Sequence, residues 1–171
     1  KTIFRIFSMT KPIVSVALMT LFEEGKLQLD DPVAKYIPAF GKLKVYEDGK
    51  MVDLKRPMTV EHLLTHTSGL SYGWSHTHVD TLYAKANIWE PGRNLEAFVD
   101  RIATLPLNFQ PGARWEYGVS TDIVGRLVEV ISGKPLDQYL QERIFTPLGM
   151  IDSGFSVPEE KQDRLATVYA P

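Results

Sequence analysis

Cysteine is absent from this sequence. Its absence excludes disulfide bonds, a cysteine nucleophile and thiolate metal ligands. It does not fix the compartment, because cytoplasmic and periplasmic proteins both manage without cysteine. The localisation therefore stays open between these two.

The sequence also lacks a long hydrophobic run and an excess of either charge. The apolar stretch of residues 13–22 is too short to span a bilayer and is followed by Glu23 and Glu24. The 19 Lys and Arg residues nearly balance the 21 Asp and Glu residues. We therefore expect no membrane span and no nucleic-acid partner, and a small acyl compound as the substrate.

What the chain does contain is mainly helical patterning. Residues 2–7 predict a short strand, and a helix from about Met9 to Glu24 follows, with Ser8 at its start. Residues 43–46 and 51–54 predict a hairpin around an Asp-Gly turn. Five further helices are predicted at residues 60–66, 80–86, 95–104, 121–131 and 135–143. The chain is thus predicted to be mainly α with a short strand and a hairpin, and strands this few suggest that their sheet partners lie outside it.

Ser8 and Lys11 place a hydroxyl and an amine three residues apart. Positions i and i+3 share one face of a helix, so the two groups can meet. A serine hydroxyl needs a nearby base, and an amine serves as one when burial lowers its pKa. The apolar helix around Lys11 predicts such a lowering. The alternative is a helix cap followed by a solvated lysine, since this spacing also occurs by chance.

Seven segments, the first of which contains Ser8 and Lys11, follow each other along the chain. They are residues 4–11, 25–33, 59–70, 110–112, 115–117, 122–133 and 147–150. With these segments the chain resembles the serine β-lactamase and penicillin-binding-protein superfamily, nearest to class C β-lactamases and family VIII carboxylesterases. The resemblance implies the helical subdomain and nucleophile helix of that α/β fold, with most of the main antiparallel sheet missing.

The resemblance also implies roles for individual residues. Ser8 is the expected acylated nucleophile, Lys11 its proton partner, and Tyr117 the general base or the end of a proton relay. The expected reaction is ester cleavage through an acyl-enzyme, without cofactor or metal. Taken alone, Tyr117 is better explained as a core tyrosine with a satisfied hydroxyl.

Two departures from the family pattern affect this interpretation. Val119 stands where β-lactamases and peptidases of the family carry an asparagine that pairs a substrate amide, and this favours an esterase with Val119 near the substrate. The strand with Lys-Thr-Gly, or a variant of it, is not found downstream. We therefore expect a single partial domain: strand and nucleophile helix at residues 1–26, helical subdomain at 27–150, and a return segment toward the absent sheet at 151–171.

Aromatic and histidine residues complete the list of candidates. Trp74 and Trp115, together with Tyr72 and Trp89, are interpreted as a substrate-binding rim for acyl chains, with packing as the alternative. His62 and His66 have helical spacing suited to metal, but no third ligand is evident, so a structural role is predicted.

The alternative functions are a β-lactamase or D-alanyl-D-alanine peptidase of the same fold, and a non-catalytic assembly domain. The start at Lys1 without a signal segment indicates a missing natural N-terminus. Self-association, or pairing with a missing fragment, is the corresponding expectation for partners.

Overall fold

A computed structural model describes residues 1–74 and 76–169 of the chain. Six α-helices and one hairpin follow each other in the order α1, β1, β2, α2, α3, α4, α5, α6 within these residues. Their bounds are Thr10–Glu23, Lys44–Glu47, Lys50–Asp53, Val60–Leu64, His78–Lys85, Leu95–Ile102, Ser120–Ser132 and Leu136–Leu140. Short 3₁₀ segments lie at Phe7–Met9, Val33–Lys35, Pro38–Lys42 and Glu159–Arg164, and a π-helical turn at Gln141–Phe145 extends α6. This architecture confirms the mainly helical prediction.

The core forms where α1 and α5 pack against each other. Helix α1 buries Ala17, Leu18 and Leu21 completely, whereas Val16 stays half exposed. Helix α5 buries Ile123 and Leu127 in the same cluster. Burial of apolar side chains on this scale is the main force that holds helices together. The packing of this pair holds the N-terminal ends of α1 and α5 in place.

The hairpin has the predicted position. Strands β1 and β2 pair antiparallel, with Val45 opposite Val52. Asp48 and Gly49 both have positive φ, at 48° and 81°, as a two-residue turn of this twist requires. Val45 also forms a parallel bridge to Leu107, which brings the segment before residue 110 against the hairpin.

The predicted strand at residues 2–7 is wrong. Only Ile3 pairs, in a parallel bridge to Leu165, and Phe7 already belongs to a 3₁₀ turn. A strand needs a partner strand along its length. Within the described residues, Ile3 alone of this segment has a bridge partner. The far end of the predicted return segment, residues 170 and 171, lies outside the described residues.

The start of α1 also differs from the prediction. The helix begins at Thr10 rather than at Met9, and its N-cap is Met9, which makes no side-chain capping bond. Ser8 instead lies in the preceding 3₁₀ turn, directly after Phe7 at φ 44°. A left-handed bulky residue is strained, and this one turns the chain sharply into the helix. Ser8 is consequently exposed at the end of α1.

Two loops are joined so that they meet this end of α1. The carbonyl of Gly69 accepts a hydrogen bond from Asn108 N–H (2.8 Å), and that of His66 accepts one from Glu116 N–H (2.9 Å). Ser68 Oγ lies 2.8 Å from Ser120 Oγ, which ties the first loop to α5. The segments carrying residues 66–74 and 107–118 therefore run side by side.

Gly118 makes the closest approach between these two loops. A β-carbon at this position would lie 2.2 Å from the carbonyl oxygen of Leu70. We expect Gly118→Ala to lower the free energy of unfolding by about 1–3 kcal/mol, because backbone atoms must move to relieve the overlap. Urea unfolding measures the change. Gly154→Ala is the control, since its β-carbon meets nothing closer than 3.6 Å; an equal effect in both variants would contradict the close approach.

None of the helices within the described ranges is long and apolar enough to cross a membrane.

Candidate active site

Ser8, Lys11 and Tyr117 meet at the exposed end of α1. Lys11 Nζ donates a hydrogen bond to Ser8 Oγ at 3.1 Å. The Tyr117 hydroxyl donates to the same oxygen at 2.7 Å. The first contact follows from local spacing in sequence, whereas the second joins α1 to the turn that precedes α5. The structure therefore brings all three predicted catalytic residues together.

The neighbours of Tyr117 favour ionisation of its hydroxyl. Its pKa lies below the ordinary tyrosine value, first because of the hydrogen bond with Lys11 and then because of the one with Ser8. The Lys11 ammonium also lies 4.9 Å from the centroid of the Tyr117 ring. A positive charge at this distance stabilises the phenolate relative to the phenol.

The predicted lowering of the Lys11 pKa is wrong. Burial does lower the pKa, but hydrogen bonds and charge interactions with Tyr117 and Tyr72 outweigh it, so the pKa of Lys11 is raised above its usual value. The amine is therefore an ammonium near neutral pH. Lys11 thus places a positive charge beside Ser8 Oγ and the ring of Tyr117.

Tyr72 takes part in this electrostatic arrangement. Its ring centroid lies 5.5 Å from Lys11 Nζ and 5.3 Å from the ring of Tyr117. The pKa of Tyr72 is raised, mainly by burial, while the nearby Lys11 opposes the shift, so its phenol stays neutral. Sequence reasoning identified Tyr72 only as an aromatic residue, because no local spacing links it to Lys11.

Asp122 is a second residue that the sequence did not single out. It lies in the first turn of α5, and burial raises the pKa of its carboxyl while the charge of Lys11 opposes that shift. Lys11 and Asp122 both line a cavity of about 640 Å³, with Trp89 and Phe98 on its wall. This cavity leads away from the Ser8 end of α1 between α4 and α5.

His66 lies against Tyr117, whereas His62 makes its contact at the start of α2. The ring centroid of His66 is 5.0 Å from that of Tyr117, and burial followed by the charge of Lys11 lowers the pKa of His66. His62 Nδ1 instead accepts a hydrogen bond from Thr59 N–H in the cap of α2. In the part of the chain that the structure describes, no cluster of three or more potential ligands suits a metal ion.

The predicted rim residues form a row of stacked rings. The ring of Tyr72 stacks on that of Trp74 at 4.6 Å and on that of Trp89 at 5.7 Å between centroids. Trp115 stacks on Tyr117 at 6.3 Å. The three tryptophans are at least half exposed. Exposed tryptophan rings therefore surround Tyr72 and Tyr117.

Val119 does not reach this surface. Its side chain has no exposed area and belongs to the hydrophobic core. The prediction that Val119 lies near the substrate is therefore wrong, because its side chain points below the turn that carries Tyr117. What remains of the argument is the absence of an amide side chain at this position.

Ser8, Lys11 and Tyr117 thus form one hydrogen-bonded cluster at the start of α1 in a mainly helical fold. Comparison with known proteins identifies the family: a family model described as Beta-lactamase matches residues 1–171, so the chain belongs to that family. The partial β-lactamase/transpeptidase-like fold is confirmed as well.

Individual relatives agree with this assignment. Protein Rv1367c of Mycobacterium tuberculosis is 40% identical over 98% of this chain and 43% of the relative. Esterase EstB of Burkholderia gladioli is 37% identical over 98% of this chain and 42% of the relative. The solved structure of EstCE1, described as a hydrolase with promiscuous acyltransferase activity, matches with a TM-score of 0.84 and 32% identity over 97% of this chain and 42% of that one. The chain thus spans about two fifths of the length of these relatives.

Proposed function

We propose that the protein is a serine hydrolase of the carboxylesterase type that cleaves short acyl esters through an acyl-enzyme on Ser8. The observation that carries the proposal is the convergence of Lys11 Nζ and the Tyr117 hydroxyl on Ser8 Oγ, at 3.1 and 2.7 Å. Both distances lie within hydrogen-bond reach, as the transfer of the serine proton requires.

The first half-reaction forms the acyl-enzyme. Ser8 Oγ bonds to the ester carbonyl carbon while its proton passes to the Tyr117 phenolate. The carbonyl oxygen becomes an oxyanion near the backbone N–H groups at the start of α1, which favour negative charge. As the bond from carbon to the alcohol oxygen breaks, that oxygen takes the proton from Tyr117 and leaves as the alcohol. The acyl group remains as an ester on Ser8.

The second half-reaction restores the free enzyme. Water gives a proton to Tyr117 and adds to the acyl carbon. The bond to Ser8 Oγ then breaks, and Ser8 recovers the proton from Tyr117. The carboxylic acid is released. Lys11 keeps its proton throughout and stabilises the negative charge of the phenolate.

An ester is favoured over an amide for two reasons. At position 119 the chain carries a buried valine, which offers no hydrogen bond to a substrate amide. An amide group that loses water without a new partner is bound unfavourably, by about 1–3 kcal/mol. The naming of EstB as an esterase points in the same direction. A β-lactamase or D-alanyl-D-alanine peptidase is therefore the less favoured alternative.

A second candidate is acyl transfer to an alcohol instead of water. EstCE1 is described as having promiscuous acyltransferase activity, and the two reactions share the acyl-enzyme. An added alcohol that diverts the product from acid to ester would support it.

For the organisation of the chain, we propose that residues 1–171 form one unit, with self-association or pairing with another segment as the expected route to a complete pocket.

Labelling by a fluorophosphonate probe tests the proposal. We expect the protein to be labelled and to hydrolyse short acyl esters, and Ser8→Ala to abolish both. Ser132→Ala is the matched control, because Ser132 lies at the opposite end of α5. Labelling of the Ser8→Ala variant, or ester turnover unchanged by it, would favour the non-catalytic alternative for this cluster.

A further inference from the structure

Ring contacts lead from Tyr117, through the buried ring of Tyr72, to exposed tryptophan rings. Tyr72 joins Tyr117 to Trp74 and Trp89, and Trp115 covers the other side of Tyr117. Trp74, Trp89 and Trp115 are 67, 50 and 65% exposed. Large apolar side chains that are exposed together around one site often mark a site of interaction. We call the rings of Tyr72, Trp74, Tyr117 and Trp115 the aromatic row.

The position of Tyr117 fixes which end of an ester faces the aromatic row. Under the proposed function, Tyr117 must return its proton to the oxygen of the leaving alcohol. This oxygen therefore comes within hydrogen-bond reach of the Tyr117 hydroxyl, which lies 2.7 Å from Ser8 Oγ. The group attached to that oxygen then extends across the rings that surround Tyr117. The acyl group, bonded to Ser8, is held away from them.

The chemistry of the aromatic row indicates what this group is. Stacked rings 4.6 to 6.3 Å apart present flat faces, which prefer other aromatic rings over saturated ones. The Lys11 ammonium lies beside two of these rings and disfavours a cationic group. From this geometry, and resting on the proposed function, we infer that the aromatic row is the alcohol subsite and that the preferred substrates are short acyl esters of neutral aromatic alcohols.

Two matched pairs of esters test the inference with the whole protein. The alcohol pair is benzyl acetate and cyclohexylmethyl acetate, whose leaving alcohols have similar acidity. The acyl pair is methyl phenylacetate and methyl cyclohexylacetate. We expect kcat/KM to favour the aromatic member by about two- to tenfold in the alcohol pair, the range of one or two aromatic contacts, and to show no preference in the acyl pair.

Variants locate the preference. Trp74→Leu and Trp115→Leu are each expected to bring the ratio of the alcohol pair toward one, with most of the loss in KM. Tyr169→Leu, which removes another highly exposed aromatic ring, should leave the ratio unchanged. Circular dichroism confirms that each variant is folded.

The outcomes separate this inference from the proposed function. A preference confined to the acyl pair, or a ratio unaffected by both tryptophan variants, overturns the alcohol subsite. If Ser8→Ala abolishes turnover of all four esters while the alcohol pair shows no preference, the hydrolase proposal stands and the subsite is rejected. If Ser8→Ala leaves turnover intact, both are rejected.

Discussion

Tyr117→Phe is expected to lower kcat/KM for short esters by about 10²–10⁴-fold, the usual contribution of a general acid-base group. The variant keeps the ring, and therefore its stacking on Trp115, but loses the oxygen that lies 2.7 Å from Ser8 Oγ. In the unmodified protein Lys11 is held as an ammonium by a raised pKa, so Tyr117 rather than Lys11 is the expected base, and the variant removes it. Steady-state kinetics on an acetate ester measures the loss.

Tyr139→Phe provides the control for this prediction. Its hydroxyl lies 2.7 Å from Thr20 Oγ1 and joins α6 to α1, away from Ser8. We expect this variant to lose stability by about 0.5–1.5 kcal/mol, as for one hydrogen bond, while kcat/KM changes little. Equal activity losses in the two variants would show that the loss in Tyr117→Phe does not depend on the contact of its hydroxyl with Ser8.

Lys11→Met is expected to reduce activity at neutral pH by a similar factor and to displace the pH profile. In the unmodified protein, kcat/KM rises with pH as Tyr117 ionises, at a pKa below the ordinary tyrosine value. Removal of the ammonium removes the first cause of that lowered pKa. The phenolate then forms only at higher pH, so the acid limb of the kcat/KM profile moves to higher pH.

Lys11→Arg separates charge from proton transfer. Arginine keeps the positive charge and does not titrate in the accessible range. If Lys11 acts as a charge, the arginine variant retains an acid limb closer to that of the unmodified protein than to that of Lys11→Met. An acid limb at the same pH in all three proteins would contradict the assignment of Tyr117 as the base.

The local part of the site was predictable from sequence. Ser8 and Lys11 are neighbours in the chain, so one helical turn is enough to bring them together. Thr59 and Asn94 directly precede α2 and α4, and each side chain accepts a backbone hydrogen bond there, as N-cap residues of these types do. Tyr117 came from the resemblance to a family rather than from its own surroundings.

The electrostatic part was not predictable in the same way. The sign of the Lys11 pKa shift depends on Tyr72 and Tyr117, which reach Lys11 only after distant loops have packed side by side. An apolar helix suggested desolvation, and desolvation is present, but the two tyrosines outweigh it. Composition around one residue does not reveal partners that the tertiary structure brings in.

The burial of the Val119 side chain was not predictable for a similar reason. In a turn, side chains follow neither helical nor strand periodicity, so position in sequence did not tell whether residue 119 faces the core or the surface. The turn at Phe7 was missed because β-branched and aromatic composition favours a strand, while φ 44° places this residue in a left-handed turn.

The most direct measurement is the mass of the covalent intermediate. The protein is mixed with a short acyl ester, quenched during turnover, digested and examined by mass spectrometry. We expect an acyl group on the peptide that contains Ser8 and none in the Ser8→Ala variant. A variant that hydrolyses the acyl-enzyme more slowly should accumulate more of it. An acyl group on another residue, or sustained ester turnover with Ser8 replaced, would contradict it.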